Sequence, residues 1–120
     1  MPSLNRVQLI GRLGRDPEMR YTPKGTPSTR FSIAINRART NPEGQRQEET
    51  DWFNVEAWGK LGEICQQYLK KGRLIYVEGR LHTDRWEDEK GETQYLTKII
   101  ANDMQMLDRK ADEPEGAEAE

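Results

Sequence analysis

The sequence predicts an all-β fold: a five-stranded Greek-key barrel with one helix between its third and fourth strands, plus a protruding β-hairpin. Three observations predict it. Apolar and polar residues alternate with a period of two along five separate stretches. A single stretch repeats its apolar residues at helical spacing. Clusters rich in Gly, Pro, Asn and Asp punctuate the chain between them. At 120 residues the chain suits one domain.

The first strand is read over Leu4–Gly14, where Val7, Leu9 and Leu13 share one parity and Arg6, Gln8 and Arg12 the other. Asp16-Pro17 and Pro23-Lys24-Gly25 are turn signals flanking a short extended piece, Glu18–Thr22. Phe31, Ile33 and Ile35 alternate with Arg30, Ser32, Ala34 and Asn36 in a second strand. Thr40–Thr50 is polar throughout and reads as a flexible loop, and Asp51–Trp58 is the third strand. Leu61, Ile64, Cys65, Tyr68 and Leu69 then form one apolar stripe of a helix. Lys70 and Lys71 are expected in its last turn, where they complement the dipole, with Gly72 as the cap. Arg73–Trp86 and Gln94–Leu107 are the last two strands, joined by a turn at Asp88–Glu92. Three strands, a helix and two strands is the order of an OB-fold, which binds oligonucleotides across a sheet face. Residues 1–107 are expected to form this domain, and 108–120 a short, acidic, disordered tail.

Composition excludes several function classes. No apolar run approaches the roughly 20 residues needed to span a bilayer, and the N-terminus carries no signal-peptide pattern, so a cytoplasmic protein is expected. The chain has one histidine, His82, and one cysteine, Cys65, so no disulfide, metal site or nucleophile–base pair is expected. Gly11-Arg12-Leu13-Gly14 lacks the spacing of a phosphate-cradling loop. No enzymatic activity and no cofactor are expected. Net charge is −2, but residues 1–39 carry eight basic side chains and two acidic ones, whereas residues 108–120 carry six acids and two bases. A basic body with an acidic end is compatible with a polyanionic partner.

The tryptophans carry the functional reading. Side chains alternate across a strand, so Trp52, Asn54, Glu56 and Trp58 face outward while Phe53, Val55 and Ala57 face the core. Trp86 likewise shares parity with Glu78, Arg80, His82 and Asp84, opposite Ile75 and Val77. Indoles on a polar face are stacking platforms for unpaired bases. Arg6, Arg12, Arg37, Arg39, Lys60, Lys70, Lys71, Arg73, Arg80 and Arg85 are candidates for tracking phosphates. A barrel that binds RNA or another protein shares the fold, and the fold alone does not separate them; the three outward tryptophans together with the motifs below favour single-stranded DNA.

Several ordered motifs carry a resemblance. They are Asn5-Arg6-Val7, Gly11-Arg12-Leu13-Gly14-Arg15-Asp16-Pro17-Glu18, Arg20-Tyr21, Thr50-Asp51-Trp52, Trp58-Gly59-Lys60-Leu61, Tyr68-Leu69-Lys70-Lys71-Gly72, Tyr76-Val77-Glu78-Gly79 and Met104-Gln105-Met106-Leu107. From about Leu4 to Leu107 the chain resembles the bacterial single-stranded DNA-binding protein family. The resemblance implies an OB-fold homotetramer that wraps single-stranded DNA without sequence preference in replication, recombination and repair. It puts Trp52, Trp58 and Trp86 at the family's stacking positions, with Trp58 where relatives often carry phenylalanine. A further family tryptophan falls near Ala38, where contact through Arg37 and Arg39 is expected instead. It also implies one subunit interface with Leu4, Arg6, Gln8 and Phe53, and a second with Tyr76 and Gln105. The family's acidic C-terminal tip ends in Pro-Phe and recruits replication and repair proteins. Here 111–120 is acidic without Pro-Phe, so weak or absent recruitment by such a tip is expected.

Overall fold

The computed structural model describes residues 2–108. The elements are β1 (Val7–Leu13), β2 (Glu18–Tyr21), β3 (Pro27–Thr40), β4 (Arg46–Trp58), α1 (Gly59–Tyr68), β5 (Leu74–Glu87) and β6 (Thr93–Met106). Pairing runs β1-β5-β6-β4-β3, and β3 returns to β1, which closes a five-stranded barrel; β2 is an extra strand on the edge of β3. Counting barrel strands alone, α1 falls between the third and fourth, as the sequence predicts.

Two seams close the barrel narrowly. β1 meets β3 at Arg12↔Ala34 and Leu13↔Ile33. β4 meets β6, in parallel, at Val55↔Ile99 and Glu56↔Ile100. The inward set is Leu13, Phe31, Ile33, Val55, Ala57, Ile75, Val77, Ile99 and Ala101, joined by Cys65 and Leu69 from the helical segment. Strand parity therefore selects the core as expected. Burial pushes the Cys65 thiol up to about 12. α1 lies tight against the barrel: the Thr29 hydroxyl donates to the Gly62 carbonyl at 2.6 Å. The register shifts between Glu78 and Gly79, leaving Asn102 of β6 as the extra residue of a β-bulge, and a Cβ on Gly79 would lie 2.0 Å from the Ile100 carbonyl oxygen.

The region expected to be a flexible loop, Thr40–Thr50, is mostly strand. β3 and β4 pair as far as Thr40↔Arg46, leaving a tight turn at Asn41–Gln45. This arm carries no alternation signal because both its faces meet water. It is held by the backbone ladder, by Thr50 to Asn36 at 2.8 Å and by Arg37 to Asp51 at 2.9 Å. The helix end also differs from expectation. α1 stops at Tyr68, which is exposed, and Leu69 in extended conformation is the cap, so Lys70 and Lys71 lie beyond the last turn. Gly72, at φ 90°, is not the cap; it belongs to a turn closed by the Arg73 N–H to the Lys70 carbonyl. Asp108 is anchored: its carboxylate faces Arg73 Nε at 3.1 Å and accepts from the Leu74 N–H at 3.1 Å. The rest of the expected acidic tail, 109–120, lies outside the described residues.

Candidate nucleic-acid interface

Trp52 and Trp58 stand on the outer face of β4, opposite Ala34 and Ser28 of β3. Small partners leave these two indoles uncovered, Trp52 59% and Trp58 42% exposed; Trp86, opposite Gln94 of β6, is 48% exposed. Each ring has a local reason for its pose. Trp52 lies over Gly14, where a Cβ would come within 2.3 Å of indole Cζ3. Trp58 donates its Nε1–H to Glu56 Oε1 at 3.1 Å. Trp86 continues the outer row of β5 that includes Arg80, His82 and Asp84.

Between β4 and the β5–β6 hairpin runs a groove with two lobes that share Glu56, Asp84 and Lys98. One, of about 310 Å³, is walled by Arg15, Arg30, Asn54 and Leu96. The other, of about 250 Å³, is walled by Trp58, Arg80, His82 and Ile100. The floor is a charge network. Lys98 Nζ lies 2.9 Å from both Glu56 and Asp84, Arg30 Nε lies 2.9 Å from Glu56, and His82 Nε2 lies 3.1 Å from Asp84. Burial alone would raise the Glu56 pKa, but hydrogen bonds and charge from Lys98 and Arg30 outweigh it and hold the carboxyl below its usual range. Desolvation opposes the charge on Lys98, yet its two carboxylate partners raise its pKa on balance. The Lys98 hydrogen bond is the main reason Asp84 is held low.

The candidate phosphate contacts divide into two groups. Arg6 pairs with Glu78 at 2.7 Å, Arg37 with Glu49 and Asp51, Arg39 with Glu49, and Arg12 and Arg73 with Asp108. Arg37 and Arg39 have the parity opposite to Ala34 and Ala38, which places them on the other face of the arm from Trp52. Lys60, Lys70, Lys71, Arg80 and Arg85 are exposed and form no ion pair among the described residues. Of these, Arg80 lines the groove, while Arg85 lies 5.6 Å over the Tyr95 ring on the hairpin's other side. Sequence reasoning missed Arg15, Arg30 and Lys98, and it placed Glu56 in solvent. Arg30 was within reach: once Trp52 is paired with Ala34, antiparallel register sets Arg30 opposite Glu56.

The residues expected at subunit contacts lie elsewhere. Gln8 donates to the Tyr76 hydroxyl at 3.0 Å, which donates to Glu78. That hydrogen bond raises the Tyr76 pKa and lowers that of Glu78. Gln105 sits opposite Tyr76 on β6, and Leu4 and Ile10 are exposed nearby in sequence to Gln8. Phe53, half-buried, packs against the barrel core, beside Ile33.

The single-strand binding protein family matches residues 4–107, a range that holds every strand, the helix and all three tryptophans. The chain belongs to the single-strand binding protein family. A single-stranded DNA-binding protein of Chlorobaculum tepidum is 50% identical over 108 residues, covering 89% of this chain and 67% of that protein. One from Neisseria meningitidis is 45% identical over 115 residues, covering 96% of this chain and 66% of that protein. The chain thus spans about two thirds of the length of these relatives. Among solved structures, a Plasmodium falciparum family member in complex with single-stranded DNA superposes with TM-score 0.82 at 32% identity, covering 90% of this chain and 98% of that one. A Thermus aquaticus single-stranded DNA-binding protein gives TM-score 0.77 at 37% identity, covering 88% and 51%. Among the described residues no helix is long and apolar enough to cross a membrane.

Proposed function

We propose that the chain binds single-stranded DNA without sequence preference and protects it during replication, recombination and repair in the bacterial cytoplasm, by binding alone and without a cofactor. One observation carries the reading: three exposed indoles stand on the outward faces of β4 and β5, and one of them, Trp58, lines a groove that Arg15, Arg30 and Arg80 also wall. Bare indoles serve any base, because every base has a π-face, and each stack contributes about 1–3 kcal/mol. Trp52 and Trp58 lie roughly 20 Å apart along β4, room for several nucleotides. The Plasmodium falciparum relative, solved with single-stranded DNA, supports the ligand. Assembly into a homotetramer is part of the proposal. It rests on the outward cluster of Arg6, Gln8, Tyr76 and Glu78, next to exposed Ile10, Met106 and Leu107.

Poly(dT) titration followed by tryptophan fluorescence tests the binding. The expected result is strong quenching, affinity that falls as salt rises and little response to duplex. No quenching, or equal affinity for duplex, overturns it. Trp52→Ala and Trp86→Ala are each expected to weaken binding by about 1–3 kcal/mol. Sedimentation tests assembly: a monomer at micromolar concentration would exclude the tetramer.

A further inference from the structure

We infer that Glu56 is the positioning residue of this groove, and that Arg30 is the phosphate contact it aims. The inference rests on the proposed binding of single-stranded DNA. Glu56 is 1% exposed, and its two oxygens accept from four donors: Arg30 Nε at 2.9 Å, Lys98 Nζ at 2.9 Å, Trp58 Nε1 at 3.1 Å and the Ser28 hydroxyl at 3.3 Å. These donors come from β3, β4 and β6, so one carboxylate gathers three strands at the seam where β4 and β6 share only two residue pairs. It lies too deep to repel a phosphate by contact. What it controls is the direction of the groups above it.

Those groups have different fates. Lys98 is 15% exposed and clamped between Glu56 and Asp84, which makes it a strut. The Arg30 side chain is 58% exposed and lines the larger lobe, and Glu56 engages only its Nε edge. A guanidinium is a rigid planar fork, so fixing Nε fixes the plane and presents the remaining N–H groups to the groove as a pre-aimed pair. The same carboxylate stops the Trp58 indole from turning about its axis. Losing this negative charge should therefore weaken the binding of a polyanion, the opposite of what simple charge counting gives.

Titration of the full chain with oligo(dT), read by tryptophan fluorescence, tests this with Arg30→Lys, Glu56→Gln and the double variant. Arg30→Lys keeps the charge but loses the fork, and about a three- to tenfold loss of affinity is expected. Glu56→Gln should lose a similar factor. The double variant should lose clearly less than the product of the two, because both act through one contact. Arg30→Met should also lower the slope of log affinity against log salt by about 0.7. Tighter or unchanged binding by Glu56→Gln, or full multiplicativity in the double variant, overturns the inference. If Glu56→Gln does not fold, Arg30→Lys decides with Glu56 intact: unchanged affinity overturns it. Failure of the wild-type chain to bind at all is a separate outcome, which sinks the proposed function and this inference with it.

Discussion

Trp52 rests on Gly14, and that contact sets how much of its ring is free. Gly14 does not have a positive φ, so alanine is allowed there by its backbone. The added methyl has no room, however, because it would sit 2.3 Å from Cζ3 and 2.8 Å from Cη2 of the indole. The ring must lift or tilt. Gly14→Ala is thus expected to leave the fold intact, shift the tryptophan emission and weaken oligo(dT) binding by about 1 kcal/mol, within the range of one stack. Unchanged emission and affinity would show that Gly14 does not seat the ring. The outward parity of Trp52 was legible in the alternation of residues 51–58. The glycine beneath it was not, because it comes from the end of a different strand.

Three hairpin turns share one design. Thr22–Thr26, Asn41–Gln45 and Asp88–Glu92 each place a glycine at the fourth position with φ between 80° and 88°. Each glycine N–H donates to the first residue's carbonyl, and each first residue's side-chain oxygen accepts from the fifth residue's N–H, at 3.1, 2.8 and 2.9 Å. Left-handed backbone is strained for other residues. Gly44→Ala and Gly91→Ala should each cost about 1 kcal/mol in thermal or urea unfolding; a loss-free variant would show that the turn re-forms another way. These turns were visible in sequence as Gly and Pro clusters, and the barrel interior as parity. The Thr40–Thr50 part of the arm was not visible as strand, because a strand wet on both faces has no apolar rhythm. The Glu56 network was hidden for another reason: Lys98 reaches Glu56 only across the β4–β6 seam, between strands far apart in sequence. The network predicts a pH window. Glu56 is held low, so its contribution is complete above the unfolded carboxylate value of about 4.3 and is lost as pH falls through the folded value. Lys98 is raised, so its contribution is complete below about 10.4 and is lost as pH rises through the folded value. Glu56→Gln should cost about 2–3 kcal/mol at neutral pH, less than for an isolated buried pair because Lys98 keeps Asp84. The gap between the melting curves of variant and wild type should narrow in strong acid, where glutamate becomes as neutral as glutamine. A gap independent of pH would assign the loss to shape and not to charge.

Across the whole molecule the salt dependence of binding reports how many cations meet the strand. A net charge of −2 gives no long-range pull toward a polyanion, so contacts at the groove must do the work. Single strands give a slope of log affinity against log salt of about −0.7 per phosphate neutralised. Were all ten arginines and lysines that the sequence nominates to meet phosphates, the slope per protomer would be about −7. Five of the ten, Arg6, Arg12, Arg37, Arg39 and Arg73, already hold carboxylates of their own chain. Each brings to a phosphate a partly exposed acid that faces the same polyanion, which offsets the gain, whereas Glu56, the partner of Arg30, is buried and does not. The unpaired cations away from the groove are scattered: Lys71 lies by the Asp16 loop, its N–H bound to Asp16, with Lys70 beside it in sequence, Lys60 lies in the first turn of α1, and Arg85 lies over Tyr95. Arg15, Arg30 and Arg80 remain as the groove's own contacts, which gives a slope of about −2 per protomer. Fluorescence titration with oligo(dT) over a range of salt measures it. A slope near −7 would mean that the ion pairs open when the strand binds, and that the arginines of β1 and the β3–β4 arm join its path.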